Sequence, residues 1–211
     1  MNGHKKILAY ITAISISLYI LLSVLVHKDV FRSFDYESMI GVQKVVSSKF
    51  DMPFSILTLT GSSEVILLVG FIIFLFVYLK KKKYFFGLVL ILIIYLVEIL
   101  GKLLIYHPLP PITLNRYVFT FHMPSSFFVK TNFSYPSGHM ARSTFIALIV
   151  LFLVYKIKSL KRLRITALFI AFLYITLMVI SRVYLGEHWF SDVLGGMLLG
   201  SSVGGLTLLL F

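Results

Sequence analysis

The sequence predicts an all-α integral membrane protein, a bundle of about six transmembrane helices in one membrane-embedded domain covering residues 1–211. The chain is 59% hydrophobic, and its mean hydropathy of +0.96 is far above that of an ordinary globular domain. Several apolar stretches reach the length that crosses a bilayer, about 20 residues. A chain of 211 residues with this many spans leaves no room for a separate soluble domain.

Six stretches are assigned as spans. The first, Ile7–Val26, has a basic start that would also suit a signal peptide, but its length and the lack of a clear cleavage pattern favour a retained span. The mixed apolar and charged connection after it predicts an amphipathic helix on the membrane surface. The other spans are Ile56–Leu79, Tyr84–Tyr106, Met140–Tyr155, Ile165–Ser181 and Phe190–Phe211.

The distribution of basic residues predicts the orientation in the membrane. The net charge is +12, and more than half of the basic residues lie in segments 5–6, 80–83 and 156–164, which contain no Asp or Glu. The positive-inside rule places these segments in the cytoplasm, so both termini are predicted to be cytoplasmic. Since basic tracts between spans are orientation signals, no nucleic-acid partner is expected.

Polar residues from four span ends meet at the outer face in this topology. Charged groups at these depths are costly and are often functional. The set combines two histidines, two cations, a carboxylate and a Ser-Gly helix start, which are the components of a phosphate-binding site. In chain order they are Lys102, Ser137, Gly138, His139, Arg182, His188 and Asp192.

Each component also has a purely structural interpretation. Ser137 and Gly138 are typical of a helix start, where free N–H groups suit a phosphate, but they also suit a plain helix cap. His188 and Asp192 are four residues apart, so the carboxylate can orient the ring as a nucleophile or base or simply hold it. Lys102 and Arg182 are candidates for interfacial anchors.

Other polar and aromatic residues have less specific assignments. Glu98 lies four residues before Lys102 inside an apolar span and is predicted to be its ion-pair partner. Glu187 is predicted to be a solvated loop carboxylate. The aromatic-rich connection 107–135 is predicted to be an interfacial cover, with a lipid access route as the alternative.

Two motifs resemble the type-2 phosphatidic acid phosphatase superfamily. Pro136-Ser137-Gly138-His139 is similar to its second signature, and Ser181-Arg182-x5-His188-x3-Asp192 matches the spacing of its third. The motif-bearing core is residues 98–195. The first signature is imperfect, because six residues after Lys102 the chain has Leu109-Pro110 where the family has Arg-Pro. His107, Arg116 and Arg142 are candidate substitutes for that missing charge.

The resemblance implies a lipid phosphatase with a phosphohistidine intermediate. His188 would be the nucleophile, Asp192 its support and His139 the general acid and base. Lys102, Ser137, Gly138 and Arg182 would bind the phosphate, with no metal and no cofactor. The expected substrate is a lipid phosphate or pyrophosphate in the membrane, such as polyprenyl diphosphate, phosphatidic acid or phosphatidylglycerol phosphate.

Two other functions remain open at the level of sequence. A membrane phosphotransferase would use the same phosphohistidine, and a non-catalytic lipid-binding or transport protein would carry a decayed site. The sequence does not determine the oligomeric state. The absence of cysteine excludes disulfides, thiolate catalysis and cysteine-ligated metal centres.

Overall fold

The computed structural model describes residues 3–80, 89–119 and 133–211, and these residues form helices and connecting loops without any strand. The α-helices of the described residues are α1 (Gly3–His27), α2 (Arg32–Val45), α3 (Asp51–Leu59), α4 (Ser63–Lys80), α5 (Ile91–Leu104), α6 (Gly138–Lys156), α7 (Arg164–Tyr184) and α8 (Phe190–Leu210). Short 3-10 helices lie at Ser48–Phe50, Ile112–Leu114 and Lys158–Leu163. The predicted all-α class is confirmed.

Several helices are long and apolar enough to cross a membrane. They are α1, α6, α8 and α7 with the 3-10 turn before it, while α3 and α4 together form a fifth candidate. The third predicted span, Tyr84–Tyr106, begins outside the described residues, and α5 supplies 14 residues of the remainder. A multi-pass membrane bundle is therefore confirmed, and the count of six spans stays a prediction.

The second predicted span, Ile56–Leu79, is not one continuous helix. α3 ends at Leu59, α4 begins at Ser63, and the two are bent by 47°. Gly61 in this break lies against α6, where an added Cβ would come within 3.2 Å of the His139 carbonyl. Residues 60–63 at this break read Thr-Gly-Ser-Ser, which is typical of a turn. Hydropathy averaged over a span-length window obscures so short a polar cluster.

α8 packs directly on α6 through glycines. A Cβ added at Gly196 would overlap the Ser137 carbonyl, and one added at Gly200 would overlap the Ala141 carbonyl. Small residues allow this close approach of helix backbones, which strengthens van der Waals packing inside a membrane. The adjoining apolar core consists of Ile94, Ala141, Phe145, Ile149, Leu199 and Val203.

α2 is the amphipathic helix predicted between the first two spans. It buries Asp35 and Met39 and exposes Phe34 and Tyr36. Met39 packs in one cluster with residues from the start of α6, the end of α7 and the start of α8: Met140, Met178, Val183 and Val193. α2 therefore covers the end of the bundle at which the sequence motifs converge.

Because α8 packs on α6 through glycines, a larger side chain at one of these glycines is predicted to destabilise the protein. Gly200→Ala should destabilise the protein by about 1–3 kcal/mol, because the methyl group has no space beside Ala141. The thermal unfolding midpoint in detergent measures this effect. Gly70→Ala on α4 is the matched control, since an added Cβ there meets nothing within 4 Å. Equal midpoints for the two variants would contradict the close packing.

Candidate active site

Four helix ends bring the motif residues together at one end of the bundle. Lys102 lies in the last turn of α5, and Arg182 lies in the last turn of α7. Gly138 begins α6, and Asp192 lies in the first turn of α8. The Ser137 N–H donates to the Asp192 carbonyl at 3.0 Å, so the second and third motifs are joined through the backbone.

Asp192 is the hydrogen-bonding centre of this cluster. Its side chain is completely buried. Oδ2 accepts from His188 Nδ1 at 3.2 Å and from the Trp189 N–H at 3.0 Å. Oδ1 accepts from His107 Nδ1 at 2.7 Å. The predicted contact between His188 and Asp192 is present, although His188 precedes α8 and the carboxylate reaches back to it as a helix cap.

His188 has the protonation that a nucleophile requires. Burial lowers its pKa below the usual range of histidine, and the charges of Arg182 and Lys102 lower it further, against the opposing effect of Asp192. The ring is therefore neutral at neutral pH. Because Nδ1–H donates to Asp192, the lone pair lies on Nε2, the nitrogen that does not contact the carboxylate.

Glu98 holds two cations of the site. Lys102 Nζ donates to Glu98 Oε1 at 2.8 Å, as predicted, and Arg142 donates to Glu98 Oε2. The Arg142 Nε also donates to the Gly61 carbonyl at 3.3 Å. Gly138 lies directly against this carboxylate, and a Cβ there would overlap it. A larger residue at this position would have to displace the Glu98 carboxylate from its two cations.

Arg182 and Ser137 are buried beside these groups. Arg182 donates to the Thr58 hydroxyl and pairs with Glu187, while its Nε has no hydrogen-bond partner among the described residues. Ser137 stands at the N-cap of α6 but forms no capping bond through its side chain. Its buried Oγ is likewise unpaired within the described part of the chain. Both groups are thus available to a bound anion.

His139 lies in the first turn of α6, where the helix begins with unpaired N–H groups. Four nearby charged or titratable side chains interact with it electrostatically: Arg182, Arg142, His188 and Lys102. The structure therefore brings the second histidine, the nucleophile candidate and the cations into one electrostatic environment.

The three candidate substitutes for the missing arginine have different positions. Arg142 is buried and joins Lys102 on Glu98. His107 is buried and lies between the carboxylates of Asp192 and Asp35. Arg116 instead lies over the Tyr184 ring at 5.2 Å and donates to its hydroxyl at 3.2 Å. Leu109, at the family's arginine position, is half exposed.

Sequence reasoning missed several residues that support the site. Thr58 binds Arg182, Gly61 binds Arg142, and Asp35 faces His107. These contacts join residues distant in the chain, so no local pattern indicates them. Glu187 was expected to be a solvated carboxylate, and this is wrong: its side chain is 24% exposed and forms an ion pair with buried Arg182.

Two sequence predictions, the aromatic cover and the absence of a metal, are not tested by the structure. Residues 120–132 of the predicted aromatic cover lie outside the described residues. Among residues 3–80, 89–119 and 133–211, no group of three or more His, Cys, Asp or Glu side chains is arranged to hold a metal ion. Metal independence stays a prediction.

Glu98 is predicted to stabilise the folded protein through its ion pairs with Lys102 and Arg142. Glu98→Gln removes the negative charge between Lys102 and Arg142 and leaves two largely buried cations without their shared partner, so the free energy of unfolding should fall by about 3 kcal/mol. Thermal unfolding in detergent measures the loss. Glu37→Gln on the exposed face of α2 is the control, and an equal effect in both variants would show that the bridge contributes nothing specific.

Comparison with known proteins agrees with this geometry. The sequence model described as the PAP2 superfamily matches residues 82–211. The fold is similar to the crystal structure of the first transmembrane PAP2 type phosphatidylglycerolphosphate phosphatase from Bacillus subtilis, with a TM-score of 0.71, 22% identity and 94% of each chain covered. It is also similar to Aquifex aeolicus LpxE, with a TM-score of 0.58 and 24% identity over 82% of this chain and 93% of that one.

No curated protein sequence matches significantly. At these identities the two solved structures establish a shared fold and nothing finer. The family match is different in kind, because it covers more than half of the chain and includes Lys102, Ser137-Gly138-His139 and the Arg182–Asp192 segment. From that match and the convergence of these motifs in the fold, we conclude that the chain belongs to the PAP2 superfamily.

Proposed function

We propose that this protein is a lipid phosphatase that uses His188 as its nucleophile. The observation that carries the proposal is the contact of His188 Nδ1 with buried Asp192 at 3.2 Å, in a neutral ring beside Arg182 and Lys102. Such an imidazole combines a free lone pair with cations able to stabilise phosphate charge. Membership of the PAP2 superfamily and the membrane-embedded fold support a lipid substrate.

The proposed reaction has two steps. His188 Nε2 forms a bond to phosphorus while the bond from phosphorus to the lipid oxygen breaks, and His139 donates a proton to that oxygen. Water then attacks the phosphohistidine, His139 takes a proton from the water, and the bond between phosphorus and His188 breaks to release phosphate. Asp192 stabilises the charge that the His188 ring gains in the first step.

Positive charge and N–H groups are proposed to hold the phosphate oxygens. Lys102, Arg182, the Ser137 hydroxyl and the Gly138 N–H lie at the helix ends that converge on the site. The unpaired Arg182 Nε and Ser137 Oγ support this role. Preorganised donors of this kind are the main source of rate in phosphoryl transfer, and we propose that they replace a metal ion.

Arg142 is the proposed substitute for the arginine that the family has at position 109. It is 3% exposed and shares Glu98 with Lys102, so its charge lies beside a phosphate-binding lysine. Arg116 interacts with Tyr184 instead. Loss of activity in a folded Arg142→Ala variant would support this assignment, and full activity would exclude it.

The substrate is proposed at the level of class. The solved relative from Bacillus subtilis is described as a phosphatidylglycerolphosphate phosphatase, which supports a glycerophospholipid phosphate. Polyprenyl diphosphate and phosphatidic acid remain alternatives. The site is proposed to face outward with both termini in the cytoplasm, since the basic connections lie at the opposite span ends.

Phosphate release tests the proposed function. The purified protein in detergent should release phosphate from at least one polyprenyl or diacylglyceryl phosphate in the presence of EDTA. His188→Ala should lower the rate by at least about a thousandfold, because the nucleophile is removed. His27→Ala is the control, since His27 is exposed and its only side-chain hydrogen bond among the described residues is the one it accepts from the Tyr106 N–H.

Other outcomes would redirect the proposal. Phosphoryl transfer to an added lipid or sugar acceptor, without hydrolysis, would identify a phosphotransferase. Loss of release with EDTA would contradict metal independence. A folded protein without either reaction would indicate a non-catalytic lipid-binding or transport role.

Labelling of introduced cysteines tests the orientation, because the chain has no cysteine of its own. Ile112→Cys, on the same side as the site, should react with a membrane-impermeant maleimide in intact cells. Ser159→Cys, in the basic connection between α6 and α7, should react only after permeabilisation. The reverse pattern would place the site in the cytoplasm.

A further inference from the structure

His107 lies between two buried carboxylates on different helices. Its Nδ1 is 2.7 Å from Asp192 Oδ1 on α8, and its Nε2 is 3.5 Å from Asp35 Oδ2 on α2. All three side chains are at most 5% exposed. One carboxylate oxygen of Asp192 therefore hydrogen-bonds to His188, and the other hydrogen-bonds to His107.

The position of the His107 ring is fixed by further contacts. Asp35 Oδ1 accepts from the Ser191 N–H at 2.8 Å, and Oδ2 accepts from the Ser191 hydroxyl at 2.6 Å. Ser134 Oγ lies 3.2 Å from His107 Nδ1 and donates to the His107 carbonyl at 3.1 Å. The two hydrogen bonds from Ser191 hold the Asp35 carboxylate beside His107.

This geometry favours a protonated ring. A neutral imidazole carries one N–H, so one of its nitrogens would present a lone pair to a carboxylate. Burial by itself lowers the pKa of His107, but the contacts and charges of Asp192 and Asp35 outweigh burial and raise the pKa to about 9. His107 is therefore an imidazolium at neutral pH.

The other charged groups near His107 do not replace this charge. The adjoining cavity of about 450 Å³ is lined by His107 together with Asp29, Arg32, Asp35 and Trp189. Asp29 and Arg32 pair with each other at 3.5 Å, and the Arg32 side chain is 83% exposed. Within the described residues, the ion pairs of buried Asp35 and Asp192 are those with His107 and His188.

We propose that a positively charged His107 acts as a positioning residue, which neutralises part of the charge of Asp192 and thereby keeps His188 neutral and nucleophilic. This inference rests on the proposed function of His188. A bare buried carboxylate would hold a proton on His188 and block Nε2 in the fraction of molecules so protonated. His107 shares that carboxylate, forms no bond to the substrate and transfers no proton.

Two variants separate charge from shape. His107→Gln keeps an N–H donor for Asp192 but removes the positive charge. His107→Arg keeps the charge, and the cavity beside His107 gives the longer side chain room. His27→Gln is the matched control, because His27 is exposed and forms no ion pair within the described residues.

The primary measurement is the titration of His188 by NMR of histidine-labelled protein in detergent, with the resonance assigned by its loss in His188→Ala. In His107→Gln the pKa of His188 should rise by about one unit, since a nearby cation has been removed. In His107→Arg and His27→Gln it should stay unchanged. The acid limb of the pH profile of kcat/KM should move by the same amount in the same direction.

Stability gives an independent test of the charge on His107. Because its pKa is raised in the folded protein from 6.5 to about 9, its stabilising contribution is complete below pH 6.5 and is lost as the pH rises through 9. The difference in unfolding midpoint between the unmodified protein and His107→Gln should therefore shrink over that range. A constant difference would show that His107 is not charged and would overturn the proposal.

The remaining outcomes are distinguishable. If the pKa of His188 does not move in folded His107→Gln, His107 has only a structural role and the proposal fails, whatever the activity. If His188 titrates as expected but no lipid phosphate is hydrolysed, the coupling of the two histidines stands and the proposed function fails. If kcat/KM falls equally at every pH, the loss is one of packing, and the inference fails.

Discussion

The buried carboxylate of Asp192 is the interaction on which the rest of the site depends. Its oxygens accept from two histidines and from the Trp189 N–H, and its carbonyl accepts from the Ser137 N–H. One residue thereby caps α8, orients His188 and joins the start of α6 to the start of α8. Because an unpaired buried carboxylate is costly, these bonds stabilise the folded protein, and in the proposed mechanism they also orient the nucleophile.

Charge balance at low dielectric explains the composition of the surrounding residues. Three buried or half-buried cations would repel one another, and each therefore has a carboxylate partner: Glu98 for Lys102 and Arg142, and Glu187 for Arg182. Within the part of the chain that the structure describes, the Arg182 Nε has no hydrogen-bond partner. A phosphate would find positive charge that is already oriented, which is the preorganisation that stabilises a charged transition state.

Much of this arrangement follows from patterns along the chain. Hydropathy predicted the helical membrane class, and the spacing of the two intact motifs predicted the contact between His188 and Asp192. The ion pair of Glu98 with Lys102 follows from helical periodicity. Span-length hydropathy did not predict the break between α3 and α4, because it averages over the Thr-Gly-Ser-Ser turn at 60–63. The ion pair of Glu187 was not predicted, because a partner five residues away across a loop leaves no periodic signal.

The sequence by itself determined the fold class and the identity of the motif residues, since both depend on composition and on spacing within single helices. Only the tertiary structure decided which partner each polar group has. Arg142 belongs with Glu98, Arg182 with Thr58, and His107 with Asp35 and Asp192. These pairs join elements that are distant in the chain: α6 with α5, α7 with α3, and the loop after α5 with α2 and α8. Contacts between residues that are distant in the chain leave no local pattern in a single sequence, whereas helical periodicity does.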